Sequence, residues 1–164
     1  MKKYILTGFL IAAVFIQSAK AEDTVSGSLT VNGKPVELKH VYTDSGPDDV
    51  IVVMTDAPLS EADIPFGVAM LAMDGKVRGI VIKIKKKSSS IAPRGYNAIF
   101  HDVWEGQLGT IGNGVLTIDK MNDEVIEGAL KTPEPNTWTN AIEDRDDVYS
   151  YDVKFKARVV KREL

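Results

Sequence analysis

Two histidines, His40 and His101, are the residues of this chain whose chemistry points first to a bound metal. Brought together with Asp102 or Glu105, their imidazoles and a carboxylate would make a donor set suited to Zn²⁺ or Cu²⁺. His40 follows an apolar and polar alternation that turns it, with Tyr42, toward the interior, so a hydrogen-bonded imidazole at the rim of a core is the competing use. Met70 and Met73, three residues apart, offer thioethers to Cu(I), and one helix face of methionines equally fills a core. Carboxylates gather between Asp44 and Asp49 and between Glu143 and Asp147. Neither stretch has the alternating aspartates and glycine of a calcium loop, and Arg145 interrupts the second, so both read as solvated turns.

Nucleophilic and phosphate chemistry have less to work with. The chain lacks a Gly-x-Ser-x-Gly elbow, a His-Glu-x-x-His pair and a glycine-rich phosphate loop, and it has no cysteine. The expectation is therefore a non-catalytic binding or interaction module that needs no cofactor, with a periplasmic metal-binding protein using His40 and His101 as the alternative. Trp104 and Trp138 fall in predicted turn regions, where an indole can stack on a sugar or a peptide of a small ligand or protein partner. Lys83, Lys85, Lys86 and Lys87 form the one basic patch, which attracts anionic groups or, more simply, guards the end of a strand against unwanted pairing.

The elements that must carry these residues begin after a leader. Lys2 and Lys3 precede an apolar run from Tyr4 to Ile16, and Ala19 and Ala21 flank Lys20 in a small-residue cleavage pattern. That order is expected of a secretory signal peptide over residues 1–21, cut between Ala21 and Glu22. The apolar run is shorter than the roughly 20 residues that cross a bilayer, so no integral span is expected after cleavage. The destination is periplasmic or secreted. Of the 20 lysines and arginines in the 164-residue chain, Lys2, Lys3 and Lys20 belong to the leader, while all 23 acids lie beyond it. The mature chain is thus more acidic than the net charge of −3 for the whole, which argues against a nucleic-acid partner. Residues 22–164 suit a single domain held by a hydrophobic core, without disulfides.

Along that domain the period is mostly two. Apolar and polar residues alternate on both sides of Asn32-Gly33, a pair that accepts the positive φ angles of a type I′ hairpin turn. The run Val50 to Met54 is apolar throughout, as in a strand covered on both faces. Residues 66–73 fit either a short helix, introduced by Ser60 and Asp63 and closed near Gly75, or a strand turning at Asp74-Gly75. Val77 to Lys85 directs Ile80, Ile82 and Ile84 inward, and Tyr149 to Val159 alternates strictly between apolar and polar residues. Seven or eight short strands with at most one helix predict an all-β fold, a two-layer antiparallel β-sandwich.

Four segments carry a resemblance: Gly27 to Gly33, Leu38 to Tyr42, Thr55 to Leu59 and Tyr149 to Ala157. Through them the chain resembles a loosely related group of uncharacterised exported bacterial β-sandwich proteins. The resemblance implies export and the sandwich fold, and it transfers no site residue.

Overall fold

A computed structural model describes residues 22–64, 67–86, 95–100, 109–110, 114–140 and 145–161. Residues 1–21 lie outside them, as do His101, Asp102, Trp104, Glu105, Lys87, Glu143 and Asp144. The described chain runs through β1 (Thr24–Val31), β2 (Lys34–Glu37), β3 (His40–Ser45), β4 (Asp49–Thr55), a 3-10 turn at Glu61–Asp63 and α1 (Gly67–Met73). It continues through β5 (Gly79–Lys85), β6 (Gly95–Phe100), β7 (Gly109–Thr110), β8 (Val115–Met121), β9 (Val125–Lys131), β10 (Asn136–Asn140) and β11 (Arg145–Arg158). The architecture is the expected all-β one. Its eleven described strands exceed the seven or eight expected, because β2, β7 and β10 are short partners of two to five residues.

The strands form two antiparallel sheets. One has the order β2-β1-β11-β9-β8, with β10 also paired to β11; the other has the order β3-β4-β5-β6-β7. At 14 residues, β11 is long enough to pair with β1 along one edge and with β10 and then β9 along the other. Its alternation is the cause: Tyr149, Tyr151, Val153, Phe155 and Ala157 are buried, while Asp152, Lys154 and Arg158 face water. Those side chains meet Val50, Val52, Met54, Ile80, Ile82 and Ile84 of the second sheet in one continuous core.

The Asn32-Gly33 turn forms as expected, with positive φ at both residues (49° and 76°). β4 is covered on both faces as its composition requires. Val50, Val52 and Met54 enter the main core, and Val53 packs with Val68, Ala72 and Val77 in a smaller cluster beneath α1. Residues 67–73 are helix rather than strand. The turn that ends the helix decides this: Gly75, at φ +66°, donates to the Ala72 carbonyl, and Lys76 donates to that of Leu71. This pair of bonds satisfies the last carbonyls of a helix and needs a residue free to adopt the left-handed conformation.

Two expectations are corrected. His40 and Tyr42 do not share the inward face of Leu29 and Leu38: in β3 it is Val41, Thr43 and Ser45 that are buried, and His40, Tyr42 and Asp44 lie on the opposite face, partly buried. The chain crosses from one sheet to the other at Leu38 and Lys39, and each sheet sets its own alternation, so the period cannot be carried across. Trp138 stands within β10, in register with Asp147, rather than in a turn. The Thr-Trp-Thr sequence there is made of strand formers, and the prolines that suggested a turn end just before it.

Candidate functional site

β3 is one of the two edge strands of its sheet among the described residues, and a groove of about 580 Å³ runs beside it. One wall belongs to the segment after β4 and includes Leu59, Glu61 and Ile64; the other includes Asp23, Ala157, Arg158 and Val160 from the first sheet. On the β3 side the His40 ring stacks near that of Tyr42, with centroids 6.4 Å apart and planes 16° from parallel. The Tyr42 hydroxyl accepts the Leu59 backbone N–H at 2.9 Å, which fixes the segment carrying Glu61 and Ile64 at the groove.

The opposite wall is tied to β3 through Thr43. Its hydroxyl donates to the Arg158 carbonyl at 2.5 Å and accepts the Val160 N–H at 2.9 Å. The Ser45 N–H donates to the Val160 carbonyl at 2.9 Å, and Lys161 bridges to Ser45 in parallel. At the groove end Asp23 grips Arg158: one carboxylate oxygen accepts the Arg158 backbone N–H at 2.7 Å, and the other accepts its guanidinium at 2.7 and 3.1 Å. Partial burial raises the Asp23 pKa, but the hydrogen bonds and charge of Arg158 outweigh it and hold the carboxyl below its ordinary value.

Chemically, the groove mixes apolar side chains, among them Val41, Leu59, Ile64 and Val160, with charged and hydrogen-bonding groups, a combination that suits a binding site. Among the described residues His40 makes no hydrogen bond to a hydroxyl or carboxylate, and no three His, Asp or Glu side chains come together as a metal site. The partners proposed for His40, namely His101 and Asp102, lie outside the described residues. Phe100, the last described residue of β6, shares the cross-sheet row of His40 through Thr55 and Gly79. Three strand spacings, about 14 Å, separate the two.

The remaining candidates are occupied in other ways or stand apart from this groove. Lys83 pairs with Asp49 at 3.0 Å, and Lys86 donates to the Gly46 carbonyl at 2.6 Å, so part of the basic patch ties the end of β5 to the β3–β4 hairpin. Asp146 accepts the Thr139 hydroxyl at 2.7 Å. Met70 is exposed on α1. Trp138 is in β10 of the other sheet, and Trp104 lies outside the described residues.

Sequence reasoning singled out His40 but missed Asp23, Tyr42, Thr43 and Arg158 as partners. Thr43 is 115 residues from Arg158 and Asp23 is 135 from it, so no local spacing could have joined them. No helix among the described residues is long and apolar enough to cross a membrane. Comparison of the chain with family models, curated proteins and solved structures finds no match.

Proposed function

We propose that this is an exported, non-catalytic interaction module that holds its ligand in the groove beside β3. The observation that carries the reading is the groove's construction. Its walls come from distant parts of the chain and are fixed by the Tyr42–Leu59, Thr43–Arg158 and Asp23–Arg158 contacts, so the site is preorganised before any ligand arrives. The apolar Leu59, Ile64 and Val160 supply contact area, and His40, Lys39 and Glu61 in the lining supply polar selectivity. Export follows from the leader at residues 1–21, with periplasm or medium as the destination.

The test places a photo-reactive benzoylphenylalanine at Glu61, an exposed residue lining the groove, or at Thr117, exposed on β8. Irradiation of the exporting cells should give a discrete adduct from the Glu61 position and none from Thr117. Equal adducts from both positions, or none from Glu61, would sink the placement.

A further inference from the structure

Resting on the groove reading, the structure assigns the ligand a form: we infer that an extended peptide segment of a partner protein adds as a strand to the free edge of β3. Five strands pair on one side only among the described residues; β10 has five residues directly after Pro135, and three others carry a device against pairing. β2 has only four residues and contains Pro35; β8 has a bulge between Ile118 and Lys120; β7 has two residues. Proline, bulges and shortness are the ordinary means of blunting an edge. β3 has six residues in unbroken register with β4, and no proline, lysine or bulge.

The direction of its backbone groups follows from the ladder. The Gly46 N–H donates to the Asp49 carbonyl at 3.0 Å, which makes Ser45 and Val50 a non-hydrogen-bonded pair. Alternation then gives Thr43 opposite Val52, and Val41 opposite Met54, the same status. These residues turn their N–H and C=O groups away from β4, toward the groove that they line. The chain shows the edge in use: the Ser45 N–H, of the same parity, takes the carbonyl of Val160, and Lys161 lies against Ser45 as a one-residue parallel bridge. That bridge ends at Ser45, and Val41 has no such partner among the described residues. An added strand would continue the pairing over Val41 and Thr43, placing alternate side chains against His40, Tyr42 and Ile64.

The probe is a library of heptapeptides displayed on phage and panned against protein made from the full chain, followed by the enriched sequences as free synthetic peptides. Backbone N-methylation at every second residue should weaken binding at least tenfold, and methylation at the intervening residues should leave it unchanged. Val41→Pro removes an N–H that β4 does not use, so the circular dichroism should persist while peptide affinity falls at least tenfold. Enriched peptides that tolerate N-methylation everywhere, or that bind Val41→Pro as tightly as the parent, would overturn strand addition. A photo-adduct at Glu61 that survives Val41→Pro would remove the strand and leave the groove reading standing. Loss of that adduct from the unaltered chain would remove both.

Discussion

Asn32 and Asp147 stand 115 residues apart in the chain, yet the Asn32 side-chain amide donates to the Asp147 carboxylate at 2.7 Å. Asp147 is fully buried. The same Asn32 accepts the Val148 N–H through its side-chain oxygen at 2.8 Å and donates its backbone N–H to the Val148 carbonyl at 2.7 Å. The residue chosen for the positive φ of the hairpin turn therefore also pins that turn to β11.

Two substitutions separate those roles. Asn32→Gly keeps the backbone freedom and loses both side-chain bonds, leaving a buried carboxylate short of one donor; a loss of about 1–3 kcal/mol is expected. Asn32→Ala loses the bonds and also strains the left-handed backbone, so it should be the less stable of the two. Urea unfolding of the three proteins gives the order directly. Equal midpoints for Asn32→Gly and the parent would show that the pin contributes nothing.

Asp23 and Arg158 predict a pH dependence with a definite sign. Against the effect of partial burial, the hydrogen bonds and charge of Arg158 hold the Asp23 pKa in the folded state below its ordinary value, so the ionised carboxylate is the form that stabilises the fold. That contribution is complete above the unfolded-state pKa and fades as the pH falls through the lower folded one. Asp23→Asn should accordingly melt below the parent at pH 7, with the two melting temperatures converging toward pH 2. The Arg158 side chain is about half exposed, so added salt should also narrow the gap. A difference that is constant across the pH range would assign the effect to packing alone.

Thr43→Val tests the link between β3 and the end of β11. Valine matches the shape but removes a hydroxyl that both donates to Arg158 and accepts from Val160, leaving those two backbone groups without it. A cost of about 1–3 kcal/mol is expected. Amide exchange gives the local readout: the Ser45 N–H, held by the Val160 carbonyl, should exchange faster in the variant while the β9 amides stay protected. Unchanged exchange at Ser45 would mean that the tail is held without Thr43.

The fold was legible wherever one strand stayed in one sheet. In β11 a strict period of two recorded which face was buried, and in β4 an unbroken apolar run recorded a strand covered twice. At Leu38 and Lys39 the chain changes sheet, and the pattern does not mark the change; His40 and Tyr42 were therefore assigned to the wrong face. The groove was beyond reach for a related reason. It exists because β3 at the edge of one sheet lies beside the end of β11 in the other, and the contacts that tie those two together join residues more than a hundred positions apart.

Tyr42 illustrates how such a contact can govern the site without carrying its chemistry. Its hydroxyl accepts the Leu59 N–H, and Leu59 leads into the turn that brings Glu61 and Ile64 to the groove wall. Tyr42→Phe retains the ring beside His40 and removes the acceptor, so global stability should fall by only about 1 kcal/mol. The wall should loosen much more than the core: the Leu59 amide should exchange faster, while Ile82, in the middle of β5, should not change. A ligand held by the preorganised groove would then bind more weakly to Tyr42→Phe, chiefly through faster dissociation. Unaltered dissociation together with faster Leu59 exchange would mean that the ligand does not contact that wall.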